Sequence, residues 1–238
     1  MEVTIVVIVF LVGLIGVYFS HKKEKQRRID LLAYARELGL SFDPNSDSNL
    51  DDRFRQFSIF RKGRNREGFN TLSGSLGING EDHEVLMGDY RYTVDSGSGK
   101  SKSSKTYRLS YLVVDISNYK FPKLLIRPEN FMDRLAGAIG FEDIDFESDE
   151  FSRKFYVSSS DKRFAYDLID PRMMEFLMRG NSKVIDAEGG WVCIIEGKKR
   201  WNVTQFKDNV SWLESWKSHW PTHVINTLKD GGYNGGGD

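Results

Sequence analysis

Three regimes of hydrophobic patterning follow one another along the chain. The first is continuous: Val3 to Phe19 is apolar and free of charge, and His-Lys-Lys-Glu-Lys-Gln-Arg-Arg follows at 21–28. As a helix rising about 1.5 Å per residue, this run reaches about 25 Å, against a hydrocarbon core of about 30 Å. Tyr18 and Phe19 suit the interface, and the stems of Lys22 and Lys23 can extend to headgroup level. Residues 1–20 therefore read as a transmembrane anchor. A cleaved signal peptide fits less well, because Met1-Glu2 carries no base and Tyr18-Phe-Ser-His21 is not an Ala-x-Ala site.

The second regime has a helical period. Ile29, Leu32, Ala33 and Ala35 to Leu38 form a stripe that Gly39 ends, so a helix over 24–39 continues from the anchor. Asp43 to Asp52 reads as a turn-rich linker closing a juxtamembrane segment of 21–52.

The third regime begins near Arg53 with a period of two. Phe57 to Phe60 and Phe69 to Leu76 read as strands about a hairpin tip at Arg61-Lys-Gly-Arg-Asn-Arg66. Over 84–94, Leu86, Tyr90, Tyr92 and Val94 share one side, with Asp89, Arg91 and Thr93 on the other. Tyr107, Leu109, Tyr111 and Val113 share a face in the strand over 105–116, across a Ser/Gly-rich loop at 95–104. This predicts an antiparallel meander over 53–120 rather than alternating βαβ units.

The segment 121–230 reads as α+β. It has strands near 121–126 and 151–157, a helix from Pro128 to about Ile139, a short helix starting at Ser160-Asp161 and a second capped by Asp170-Pro171. A hairpin turns about Glu188-Gly-Gly190. A last helix from Asp208 to about Leu228 carries Trp212, Trp216, Trp220, Val224 and Leu228 in one row, with Pro221 kinking or splitting it. The tail 231–238 reads as disordered. The expected fold is α+β: a transmembrane helix, then antiparallel β-sheet covered by helices, ending in a Trp-rich amphipathic helix. Residues 53–230 form one domain or two.

Charge sets orientation and excludes classes. The 34 basic and 34 acidic residues balance. Without the five bases of 21–28, Glu2 and Glu24, 29 face 32, a net of −3. Such a domain lacks the field that gathers nucleic acid. The positive-inside rule puts the basic flank, and with it the bulk of the chain, on the cytoplasmic side of the cell membrane, N-terminus outside, as a single-pass protein. Each base near an anionic leaflet contributes about 1 kcal/mol. The candidate lipid contacts are Lys22, Lys23, Lys25, Arg27 and Arg28 on the flank, and Arg61, Lys62, Arg64 and Arg66 at the tip; solvated positions are the plainer account of the tip. The lone Cys193 fits a reducing compartment. With that topology, Asn202-Val-Thr and Asn209-Val-Ser read as chance sequons.

Three patterns approach known chemistry without completing it. Gly97-Ser-Gly-Lys-Ser101 resembles the end of a phosphate-binding loop, but Val94 stands where the first glycine belongs. Asp143, Asp145 and Glu147 have the opening spacing of a calcium loop, but Ser148 replaces its glycine and Lys154 its final carboxylate. His219 and His223 are four apart, with Pro221 between them and no third ligand evident. No catalytic, cofactor-binding or metal residue is assigned, and no cofactor is implied.

Several segments carry a resemblance: Ala35-Arg-Glu-Leu-Gly-Leu-Ser-Phe-Asp43, Phe60-Arg-Lys-Gly63 with Phe69-Asn-Thr-Leu-Ser-Gly74, Asp89-Tyr-Arg-Tyr-Thr93, Leu125-Ile-Arg-Pro-Glu129, and Asp143-Ile-Asp-Phe146 with Glu150-Phe-Ser-Arg-Lys-Phe-Tyr-Val157. In these the chain resembles a broad set of membrane-anchored bacterial proteins. The resemblance implies a soluble β-rich domain behind an anchor and transfers no activity or site residue. Three functions follow as expectations. The first is a non-enzymatic module binding a protein partner or lipid headgroups. The alternatives are an enzyme with a scattered site and a structural subunit of a membrane complex.

Overall fold

The computed structural model of the chain describes residues 2–97, 103–129, 131, 142–181 and 183–233, with the backbone alone for 2–13. It is an α+β structure built on one eight-stranded, wholly antiparallel sheet in the order β1-β2-β3-β4-β8-β7-β5-β6. The long central strands are β2 (Arg64–Ile78), β3 (Glu81–Ser96) and β4 (Ser103–Asp115). β1 (Ser41–Asp43) edges β2, while β5 (Leu124–Pro128), β6 (Phe155–Ser159), β7 (Val184–Glu188) and β8 (Trp191–Ile195) extend the sheet beyond β4. The sheet thus runs without a break across residue 120.

The alternation of β3 and β4 places their two faces in separate cores. Val85, Met87, Leu112 and Val114 meet the helices: α1 (Glu2–Leu38), α3 (Asp149–Lys154), α4 (Lys162–Leu168), α5 (Pro171–Met178), α6 (Val203–Ser218) and α7 (Thr222–Asp230). Tyr90, Tyr92, Leu109, Tyr111 and Val113 meet the second core with Leu50, Phe54, Phe57, Ile59 and Phe60. Those last residues come from α2 (Leu50–Arg53), the 3-10 turn Ser58–Arg61 and the short connection between them.

Several sequence expectations are corrected. Phe57 to Phe60 is not a strand. Its four consecutive residues are all buried, which a one-faced strand cannot achieve and a tight turn pressed on a sheet can. Arg61 to Arg66 is accordingly the lead-in to β2 and not a hairpin tip. Asp43 to Asp52 carries the end of β1, a bridge from Asp47 to Gly68 and the start of α2. Residues 149–154 are helical because Ser148 caps Phe151 N–H, so the strand starts only at Phe155. Asn202, not Asp208, caps the last helical segment. Its side chain accepts from Gln205 N–H, and Gln205 returns the bond in a capping box. Pro221 does split that segment, into α6 and α7. Tyr233, placed by sequence in the tail, is buried against Phe164 and donates to Asp167.

The helix expected after Pro128 and the centre of the 95–104 loop fall largely outside the described residues. Among the described residues no helix is long and apolar enough to cross a membrane, so the structure lends the transmembrane, single-pass reading no support. Most of the run that prompted it lies at 2–13, whose side chains are outside the description.

Candidate functional site

α1 is one helix through Leu38, and its last two turns are part of the helical core. Leu31, Tyr34 and Ala35 are fully or nearly buried. Gly39 at φ 71° ends it, and Leu40 N–H bonds back to Ala35 before the chain returns as β1. Toward its N-terminal side the contact with the sheet becomes polar. Asp89, on the face that also presents Val85 and Met87, is wholly buried. It accepts from Arg27 Nε (2.8 Å) and Nη2 (2.6 Å), Asn70 Nδ2 (3.0 Å) and Ser110 Oγ (2.7 Å). Arg27 Nη1 donates to the Trp201 carbonyl at 2.7 Å. Arg200 lies 3.7 Å from Asp89 and holds Glu24 in a two-point pair. The Arg200 hydrogen bond holds the Glu24 carboxyl below its usual range. The helix is clamped to the sheet at two successive turns.

These contacts fix the direction of α1 over the sheet. Leu40 lies against Gly74, and Arg27 reaches Asp89, which sits opposite Phe69. The segment from Arg27 to Leu40, helical through Leu38, therefore runs alongside β2 from Phe69 to Gly74. The charge-free run lies farther along α1, on the N-terminal side of these contacts. Leu14, Ile15, Val17, Tyr18 and Phe19 in that run are all at least half exposed.

A groove of about 650 Å³ opens on the outer side of α1. Ile29, Leu32, Phe42 and Pro44 supply apolar surface, and His21, Glu24, Lys25 and Arg28 line its polar side. Ile29 is 51% exposed. Glu24 is paired with Arg200, and among the described residues Lys25 and Arg28 have no acidic partner. The arrangement is an apolar-lined cleft with a cationic rim.

The other basic residues read from the sequence are divided by the structure. Lys22, Lys23, Lys25 and Arg28 are exposed. Arg27 is turned inward on Asp89, a correction to its expected place among the lipid contacts. Arg61 is exposed, and Lys62 lies over the Tyr92 ring at 5.8 Å. Arg64 pairs with Asp95, and Arg66 with Asp51. The groove's walls at Phe42 and Pro44 escape sequence reasoning because they face α1 only after the chain reverses at Gly39.

Neither sequon asparagine is idle: Asn202 caps α6, and Asn209 is buried and donates to Glu196 and to the Gln205 carbonyl. His219 Nδ1 bonds the Ser215 carbonyl while its ring stacks on Phe176. Among the described residues, no group of three or more His, Cys, Asp or Glu could hold a metal ion.

One solved structure shares this architecture. The fold is similar to that of the mycobacterial trehalose monomycolate transport factor A, TtfA. The likeness has a TM-score of 0.55 and covers 82% of this chain and 96% of that one, at 12% identity. At that identity it speaks for the fold alone. No family model and no curated protein sequence matches the chain.

Proposed function

We propose that this chain is a non-enzymatic, membrane-anchored module that binds anionic lipid at the cytoplasmic face of the cell membrane. The observation that carries the reading is the groove. Its apolar Ile29 and Leu32, and Lys25 and Arg28, which have no acidic partner among the described residues, lie on the same continuous helix as the charge-free run 3–19. In this reading residues 3–19 are the anchor, and five exposed apolar side chains at 14–19 support that role. The five bases of 21–28 support the inward orientation. An acyl chain would lie against Ile29, Leu32 and Phe42, with its phosphate between Lys25 and Arg28. The clamp at Asp89 and Arg200 would keep the groove at a fixed height above the bilayer, and would bring the Arg61–Arg66 segment toward the headgroups. The fold neighbour, a trehalose monomycolate transport factor by its title, is compatible with lipid as the ligand class.

The test is native mass spectrometry of the full chain, released from detergent after exposure to phosphatidylglycerol or phosphatidylcholine. The expected result is a retained phosphatidylglycerol adduct that Lys25→Glu/Arg28→Glu loses. Equal retention of both lipids, or an adduct indifferent to the double substitution, overturns the reading.

A further inference from the structure

Outside the helix run 14–19, two large apolar side chains are exposed among the described residues. Ile29 belongs to the groove above. Tyr166, 49% exposed, belongs to another. That second groove, of about 730 Å³, lies between α4, α5 and the irregular segment 142–148. Its lining includes Phe146, Tyr166, Ile169, Pro171, Met174 and Met178.

α5 shows why the groove is left open. Met173 and Leu177 form its inward row, and both are buried. Pro171, Met174 and Met178 form a second apolar row, one turn apart; Pro171 is exposed, and Met174 and Met178 are half-buried against the helical core, with the rest of their surface lining the groove. A short helix needs one apolar row to pack on its own domain. The Tyr166 hydroxyl donates to the Asp145 carbonyl at 3.1 Å, and its ring meets Phe146 edge-on at 5.3 Å, so the facing wall is braced.

The rim has one sign. Asp145, Glu147 and Asp170 line the groove, and among the described residues no basic side chain does. Asp170 caps α5 and pairs with Arg172, whereas Asp145 and Glu147 are exposed. Unbranched, polarizable methionine side chains adapt to many apolar partners. An apolar trough between carboxylates excludes anionic lipid and favours a cationic amphipathic helix, whose apolar row would enter the trough while its lysines meet the rim.

We propose that this groove docks a basic amphipathic helix of a protein partner. The proposal stands apart from the lipid reading, because it uses other residues and the opposite charge. The experiment uses the full chain in phosphatidylcholine nanodiscs, with methionine methyl groups labelled with carbon-13. The probe is an 18-residue leucine–lysine amphipathic peptide, and the control has glutamate for lysine. The methyl signals of Met174 and Met178 should shift with the lysine peptide and not with the control, while buried Met87 stays in place. Asp145→Lys/Glu147→Lys should weaken binding at least tenfold; both positions are exposed, so folding should survive. Met174→Glu should abolish the shift of Met178. Shifts that are absent, equal for both peptides, or produced by anionic nanodiscs without peptide overturn the proposal.

Discussion

Replacing Arg27 by methionine would remove the guanidinium and keep most of the stem. Asp89, with no exposed surface, would then keep Asn70 and Ser110 as donors, with Arg200 at 3.7 Å as its nearest cation. Breaking a buried ion pair from one side costs about 3–5 kcal/mol. Arg200 is close enough to move in, at the expense of its pair with Glu24, so the lower end, about 3 kcal/mol, is expected here. At about 2–4 °C per kcal/mol for a domain of this size, the Tm should fall by about 6–12 °C. Calorimetry of the full chain in detergent reads this directly. Asp89→Asn should cost a similar amount, since it leaves two cations facing a neutral amide. The double variant should cost well below the sum, because neither charge is then stranded. A Tm for Arg27→Met within 2 °C of wild type, or strict additivity in the cycle, would refute the clamp.

Two further outcomes follow from the packing. Burial pushes the Asp186 carboxyl up to about 6 from its usual 3.8, against bonds from Ser58 that favour the anion. The folded state therefore binds this proton more tightly than the unfolded state, so Asp186 lowers stability progressively as pH rises from about 4 through about 6. Asp186→Asn should raise stability at pH 7 by up to about 3 kcal/mol and have little effect at pH 4, measured by urea unfolding; an equal effect at both pH values would contradict this. Gly88→Ala should destabilise by about 1–3 kcal/mol, because its Cβ would come within 2.9 Å of the Asn70 carbonyl and 3.2 Å of the Phe69 carbonyl, both rigid backbone. A Tm unchanged by that substitution would count against the tight approach of β2 at its bulge.

What was legible in the sequence had a period. Tyr90 with Tyr92, and Leu109 with Tyr111, alternate, and the sheet keeps those faces apart. Asp161 and Asp170 cap the helices expected of them, because a cap is a contact between neighbours in sequence. Where long-range packing decided, local patterns misled. Phe57 to Phe60 resembles a strand by composition, yet its burial depends on a sheet surface formed by β3 and β4. Asp208 has the residue type of a cap, but the chain turns earlier, where Trp201 is held by Ser110 and Asn202 can close the box. The clamp joins residues 62 and 174 positions apart, so no spacing announces it. One signal was available: Asp89 and Ser110 interrupt the face shared by Val85, Met87, Leu112 and Val114, and a polar pair there demands a buried partner. The cationic rim of the α1 groove was visible as a basic flank. The apolar wall was not, because Phe42 and Pro44 arrive from β1 and the turn that follows it.

The central claim is that anionic lipid occupies the groove beside Lys25 and Arg28. Its most direct measurement is photo-crosslinking from p-benzoylphenylalanine placed at Leu32, in the groove, and at Arg36, an exposed position outside its lining. In native membranes the account predicts a phospholipid adduct at position 32, enriched in anionic headgroups, absent at position 36 and lost with Lys25→Glu/Arg28→Glu. Adducts of equal yield at both positions, or at position 32 without headgroup preference, would contradict it.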